Sequence, residues 1–272
     1  MQSLGNDFVV LDGVSRELQI SPDVARKLAD RHFGVGCDQV LLAEPGTSTD
    51  FRFRIFNHDG SEVEQCGNGA RCMARFLHLK GLTEKMEISV QTMNARMVLR
   101  VREGGEVSVE MGIPEFEPLN IPFDADRRLD VYPLALDAQT IEIAALAIGN
   151  PHAVTEVADI KKVDVAELGP KIENHPRFPA RVNAGFMQIL SPEHIRLRVH
   201  ERGAGETLGC GSGACAAVVA GNMHGRLGQS VKVSLPGGSA RVNWAGPGNP
   251  VYLSGPAETV FSGEINLSEP CH

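Results

Sequence analysis

Two stretches of the chain alternate apolar and polar residues with the period-two rhythm of a half-buried strand: FRFRIFN from Phe51 to Asn57, and IRLRVHE from Ile195 to Glu201. They begin 144 positions apart (195 − 51). Behind each comes a Gly-containing loop, then a run of good helix formers opened by Cys-Gly-x-Gly-Ala. These runs are CGNGARCMARFLHLKG from Cys66 and CGSGACAAVVAGNMHG from Cys210, again 144 positions apart. A glycine closes each of them, Gly81 or Gly225, in the manner of a helix C-terminus. The same offset carries Gly5-Asn6 onto Gly149-Asn150, Gln39 onto Asn183 and Asn57 onto Glu201. One offset held across polar landmarks, with no insertion between them, marks an internal duplication.

The copies run from about 1 to 117 and from about 145 to 262. Strand-like segments outnumber helices in each: EISVQT, ARMVLRV and VSVEM in the first, VKVSL, ARVNW and PVYL in the second. The stretch around IPFDADRRLDVYP, rich in Pro and Asp, reads as the connection. The predicted fold class is therefore α+β. It comprises two pseudo-symmetric strand-rich lobes from the duplication, each wrapped around a central helix, with the active site in the cleft between them. The expected lobes are 1–117, completed by the C-terminal segment 263–272, and 118–262.

Composition narrows the function classes. A chain of 272 residues with 42% hydrophobic content can bury a sizeable core. Its formal net charge of -8 argues against nucleic acid or an anionic membrane as partner and in favour of a small polar ligand. The start, MQSLGNDFVV, lacks the basic and apolar regions of an export signal, and no run of eighteen apolar residues occurs. A soluble, cytoplasmic protein is expected. Six cysteines without a CxxC pair suit neither a disulfide scaffold nor a zinc or thioredoxin-like site, so no metal is expected.

Two of those cysteines stand out. Cys66 and Cys210 each precede a predicted helix whose first N–H groups have no internal partner, and the glycines around them let a ligand approach the backbone. The helix dipole favours thiolate, so both are expected where a thiolate is stabilised rather than buried. The offset pairs Cys37 with Arg181, Cys72 with Ala216 and Cys215 with Arg71, and gives Cys271 no partner, so these four read as ordinary core or surface residues. Two equivalent thiols on opposite sides of one cleft have the geometry of a two-base racemase: one removes an α-proton, and the other delivers a proton to the opposite face. Neither a Schiff-base lysine nor a phosphate-cradling loop is evident, so no cofactor is expected.

At this point the motifs resemble the diaminopimelate epimerase family, over essentially the whole chain. The residues that carry the resemblance are LGNDFVVLD, FNHDGSEVEQCGNGARC, GNPHAV, RVNAGFMQ and HERGAGETLGCGSGACA. The resemblance implies cofactor-independent interconversion of LL- and meso-2,6-diaminopimelate in lysine biosynthesis, with Cys66 and Cys210 as the acid/base pair. It implies that Gly67, Asn68, Gly211 and Ser212 hold the reacting end of the substrate. Asn57, Asn150, Asn183, Glu201 and Arg202 would contact the distal amino-acid end, with Asn6 and Gln39 completing the pocket. His152 and Glu201 would tune the thiols. The adjacent charges of Glu201 and Arg202 suit a second zwitterion, although a Glu-Arg pair taken alone is usually a solvated one. The resemblance also implies a homodimer, with Phe261 where relatives carry a C-terminal aromatic. Relatives begin several residues earlier, so the first strand is expected to be shorter than its copy in TIEIAALAIG. Two alternatives stand beside this reading. A proline racemase relative would share the thiol pair but have no use for the Glu201-Arg202 clamp. A thiol redox sensor would not need the ring of Asn and Gln residues.

Overall fold

The computed structural model describes residues 1–63, 66–94, 96–102, 106–137 and 139–266. They fall into two compact units, one of Met1–Val109 with the segment that starts at Gly255, the other of Glu110–Ser254. The lobe boundaries read from the sequence, 117/118 and 262/263, lie a little further along the chain. Cys271 and the rest of the Glu-Pro-Cys-His tail lie outside the described residues.

In the first unit β1 (Gln2–Ser3) pairs antiparallel with β2 (Asn6–Asp12). Then come α1 (Pro22–Ala29), β3 (Gln39–Pro45), β4 (Phe51–Asn57), β5 (Glu62–Val63), α2 (Gly67–Leu79), β6 (Glu87–Gln91), β7 (Arg96–Val101) and β8 (Val107–Glu110). β2 runs parallel to β3, β3 antiparallel to β4, and β4 takes β5 antiparallel on one stretch and β6 parallel on another. β6, β7 and β8 continue as an antiparallel meander. The alternation read from FRFRIFN is the burial pattern of β4, with Phe51, Phe53 and Ile55 inside and Arg52 outside. The first strand is short, as expected. Its edge is joined by the chain's return, where Gln2 and Glu258 exchange two backbone hydrogen bonds of 2.9 Å.

The second unit repeats this plan. It contains β9 (Tyr132–Leu136), β10 (Gln139–Ala147), β11 (Pro151–Glu156), α3 (Val165–Glu173), β12 (Asn183–Ser191), β13 (His194–Glu201) and β14 (Gly205–Thr207). It continues with α4 (Gly211–Met223), β15 (Ser230–Leu235), β16 (Gly238–Trp244) and β17 (Val251–Gly255). The parallel pairs β11 with β12 and β13 with β15 match those of the first unit. The two central helices start and end at the same duplicated positions. α2 packs against β1, β2, β3 and β7, and α4 against β10 to β13 and β16. α4 is buried without interruption from Gly213 to Gly221, a run of small and apolar residues with no polar face.

Two features differ from the sequence reading. Each unit has a second helix, α1 or α3, that the apolar rhythm did not announce. Both are short, and their starts rely on caps: Ser21 Oγ accepts from Val24 N–H at 3.3 Å, and Asp164 Oδ1 from Glu167 N–H at 3.0 Å. The Pro- and Asp-rich stretch is also more than a connection. Its Ile121, Phe123 and Tyr132 belong to the second unit's core, where the Phe123 ring meets those of Tyr132 and Phe178 at 4.8 and 4.5 Å. Among the described residues no helix is long and apolar enough to cross a membrane.

Both central helices end in the same way. Gly81 has φ 67° and Gly225 φ 68°. At the first end Gly81 N–H donates to His78 O and Leu82 N–H to Leu77 O; at the second, Gly225 N–H donates to Asn222 O and Arg226 N–H to Gly221 O. These are Schellman caps, in which only the left-handed conformation brings the last carbonyls a donor. An added Cβ would meet nothing within 4 Å at either glycine, so a substitution bears only the conformational cost. Gly81→Ala and Gly225→Ala are each expected to lower unfolding free energy by about 1 kcal/mol, and the asparagine variants by less. Urea denaturation of the four variants checks this, and a large difference between the two sites would contradict the shared cap geometry.

Candidate active site

In the first unit the strand order gathers polar residues at one end of the sheet. Asn6 opens β2, Gln39 opens β3 and Asn57 closes β4. Gln39 and Asn57 are cross-strand partners, and Gln39 Nε2 donates to Asn57 Oδ1 at 2.9 Å. Gln39 Oε1 is buried and has no hydrogen-bond partner among the described residues. Cys66, half-buried, is the N-cap of α2: its sulfur accepts Gly69 N–H at 3.3 Å and lies 3.9 Å from Asn6 Oδ1. The Asn6 amide is oriented by Asp38, which accepts from its Nδ2 at 2.7 Å.

Asp38, Asp7 and Arg31 form a cluster that sequence inspection missed. Arg31 donates to both oxygens of Asp7 at 2.8 and 2.9 Å and to Asp38 Oδ1 at 2.8 Å. Burial acts to raise the Asp7 carboxyl, but the Arg31 guanidinium and the hydrogen bonds from Asp38 together outweigh it and hold its pKa below the usual range. Arg71 was missed too. It sits in α2 with none of its surface exposed, donating to Ser3 Oγ at 2.8 Å and to the side-chain oxygen of buried Asn68. A cation therefore lies beneath the first turn of α2, beside Gly67 and Asn68. Its duplicate position is Cys215, so repeat matching hid it.

In the second unit the equivalent positions carry more charge. Asn150 lies in the turn before β11, and its Oδ1 accepts from Nε2 of His152 at 3.0 Å. Burial, and secondarily the charge of Arg202, lowers the His152 pKa to about 3, so the ring is neutral at ordinary pH. Asn183, at the start of β12, accepts Arg202 N–H at 2.8 Å and donates to Pro151 O at 3.1 Å. The Arg202 guanidinium is exposed and donates to Ala180 O at 2.9 Å. Glu201, ending β13, takes a hydrogen bond from Thr207 Oγ1. Gly211 and Ser212 form the first turn of α4, with Ser212 Oγ 3.8 Å from the Cys210 sulfur.

The two thiols are not equivalent, which corrects the reading that both sit where a thiolate is stabilised rather than buried. Cys210 is 3% exposed, and its pKa is pushed well above the ordinary value. Burial is the largest cause, followed by the charge of Glu201 and its hydrogen bond to the thiol. The Gly213 amide and the Ser212 hydroxyl offset only part of the rise. The physical reason is the apolar run of α4, buried from Gly213 to Gly221, which draws the N-cap cysteine toward the interior with it. Cys37, Cys72 and Cys215 are buried; burial raises Cys37 to about 11 and Cys72 to about 12. Among the described residues no cluster of His, Cys, Asp and Glu could hold a metal ion.

This asymmetry is measurable. In the wild type iodoacetamide is expected to alkylate Cys66 well before Cys210. Glu201→Gln removes a negative charge beside the Cys210 sulfur, so thiolate forms at lower pH and the alkylation profile of Cys210 shifts down. Peptide mass spectrometry across a pH series reads both, and an unmoved Cys210 profile in the variant would remove Glu201 as a cause.

Comparison with known proteins fits this geometry. The profile of the diaminopimelate epimerase family matches residues 1–117 and 144–260, the two duplicated halves. The chain is 57% identical over 269 residues to a diaminopimelate epimerase of Azoarcus sp., spanning 98% of this chain and 97% of that one. It is 52% identical over 268 residues to a diaminopimelate epimerase of Nitrosospira multiformis, with the same coverage of each. Among solved structures, a hydroxyproline epimerase from Agrobacterium vitis is similar with TM-score 0.67 at 17% identity, over 99% of this chain and 92% of that one. A PhzF-family phenazine biosynthesis protein from Enterococcus faecalis gives TM-score 0.67 at 14% identity, over 97% and 94%. At such identities these two speak for the fold alone. The whole-chain matches and the twofold placement of the cysteine motifs agree: this chain belongs to the diaminopimelate epimerase family.

Proposed function

We propose that the protein interconverts LL- and meso-2,6-diaminopimelate without a cofactor, in the diaminopimelate route to lysine, with Cys66 and Cys210 as the acid/base pair. The observation that carries this reading is the recurrence of one device: a cysteine at the N-cap of a central helix, at the same duplicated position in both units, in a chain of this family. One sulfur removes the α-proton and the other protonates the opposite face of the same carbon. In the resting pair Cys210, buried beside Glu201, carries the proton, and Cys66 serves as the base. As charge builds on the substrate carboxylate, the free N–H groups at the starts of α2 and α4 stabilise it, with Gly67, Asn68, Gly211 and Ser212 lining those turns. Buried Arg71 adds positive potential below the first of them.

The distal amino acid has its own partners. Arg202 is the cation for its carboxylate and Glu201 a partner for its ammonium group, with Asn57, Asn150 and Asn183 around them. The unsatisfied Gln39 Oε1 would accept from the substrate as well, and Asn6 is aligned for this by Asp38. His152, neutral and fastened to Asn150, would influence the thiols as a dipole rather than a charge. We also propose a homodimer, with exposed Phe261 contributing to the contact, working in the cytoplasm, whose reducing conditions keep both thiols free.

Incubation with LL-diaminopimelate in heavy water, without added cofactor, tests the reaction. Epimerisation should place deuterium at the inverted centre, whereas turnover of proline and not of diaminopimelate would assign the chain to another racemase. Cys66→Ala and Cys210→Ala should each lower epimerisation by about 10²- to 10⁴-fold while leaving the fold intact. Each variant can exchange only the α-proton that faces its surviving thiol, so the two should prefer opposite substrate configurations. Near-wild-type epimerisation by either one sinks the two-thiol mechanism. Arg202→Ala is expected to raise KM for diaminopimelate about tenfold or more and to lower kcat as well, because distal binding energy helps to hold the reacting centre. Unchanged kinetics would put that side chain outside the substrate site.

A further inference from the structure

The duplication allows the same fold position to be compared in its two settings. In the first unit Ala29 at the end of α1, Cys37 before β3 and Phe56 in β4 are buried in one apolar cluster. Moved by the offset of 144, these positions become Glu173, Arg181 and His200. Glu173 is 6% exposed and His200 7%. A contact that the first unit makes with apolar side chains is thus rebuilt in the second from ionisable groups. Stability does not explain the exchange, since a buried charged set is seldom more stable than the apolar packing it replaces. The first unit shows that the fold itself does not require it.

What the polar set does is visible in its bonds. Glu173 Oε2 accepts from His200 Nε2 at 2.8 Å, and Glu173 Oε1 accepts from Gly203 N–H at 2.8 Å and from Arg181 Nη1 at 3.2 Å. The Glu173 carbonyl takes Val182 N–H at 3.3 Å. Burial would raise the Glu173 carboxyl, but the bonds from His200 and Gly203 outweigh it, and it stays ionised. Two of those partners flank one pair of residues. His200 and Gly203 lie just before and just after Glu201-Arg202. Arg181 and Val182 belong to the segment that supplies Arg202 with both its acceptors, Ala180 O for the guanidinium and Asn183 Oδ1 for the backbone N–H. Arg181 itself has φ 59°, in the left-handed region that few non-glycine residues occupy. The duplicate of Arg202 is His58, so the unit with the buried carboxylate is the one with the arginine.

We infer that Glu173 is a positioning residue for substrate recognition, fastening from below the turn that presents Glu201 and Arg202. This inference rests on the proposed role of Arg202 at the distal carboxylate. A rigid turn holds the guanidinium ready before substrate arrives, so binding does not have to order it.

Glu173→Gln tests this with little change of volume. A glutamine oxygen still accepts one bond, but its NH₂ turns a donor toward His200 or Arg181, so part of the fastening is lost. The expected result is a KM for LL-diaminopimelate raised about tenfold, with a smaller change in kcat. Hydrogen exchange over residues 200–207 should quicken while the thermal midpoint stays near that of the wild type. In an Arg202→Ala background the further rise in KM on adding Glu173→Gln should shrink, because Arg202 is one of the two contacts that the turn presents. Glu173→Ala/His200→Phe, which copies the apolar pair of the first unit, should fold and show the same KM effect. A KM unchanged in folded variants, or an effect fully additive with Arg202→Ala, would overturn the inference. If the wild type does not epimerise diaminopimelate, the functional reading fails by itself. The positioning role is then decided by exchange at residues 200–207, and unaltered exchange in Glu173→Gln refutes it.

Discussion

A helix enclosed by strands is satisfied along its length and unsatisfied at its start. That constraint governs both units of this protein. α2 and α4 are wrapped by the strands of their own units, so their apolar surfaces and internal hydrogen bonds are accounted for within the fold. The first N–H groups have no carbonyl of their own helix to bond. Glycines and a small polar side chain in the first turn leave those groups accessible, and a cysteine at the N-cap stands beside them. The proposed anion binding and thiol chemistry both use this unsatisfied end.

Duplication supplies this device twice; divergence makes the copies different. In the first unit the Cys66 sulfur accepts a helix N–H, and a buried arginine lies under the turn. In the second the Cys210 sulfur is buried at the start of a largely apolar helix and faces the Glu201 carboxylate, both of which favour the protonated thiol. A two-base mechanism needs one group with a proton and one without. In the proposed two-thiol mechanism this inequality makes Cys210 the member that carries the proton.

The polar additions are distributed in the same uneven way. Asp7, Asp38 and Arg31 orient Asn6 in the first unit, largely by partly exposed ion pairs. The second unit instead places Glu173 and His200 where its counterpart keeps apolar packing. Buried charge of this kind costs desolvation, and its bonds offset that cost only when the geometry is well satisfied. Three hydrogen bonds to one carboxylate meet that condition, and the gain is rigidity in the turn that carries Glu201 and Arg202.

The amino-acid sequence by itself determined the duplication, the extent and ends of both central helices, most strands, and the two cysteines as the unusual pair. These are local or periodic properties: strand alternation, helix-stop glycines and a repeated offset are written in neighbouring residues. The short helices α1 and α3 lacked such a signal, because each depends on a cap and on packing against strands far along the chain. Tertiary structure alone decided that Cys210 is buried, since that depends on what surrounds α4 and not on the residues beside the thiol. It also decided the partners of Asn6, Asn68 and Arg202. Asp38 lies far from Asn6 in the chain, Arg71 had no equivalent in the other copy to draw attention, and Glu173 stands in a helix that carried no signal in the sequence. Hydrogen bonds across such separations leave no periodicity, because only the folded chain brings their donors and acceptors together.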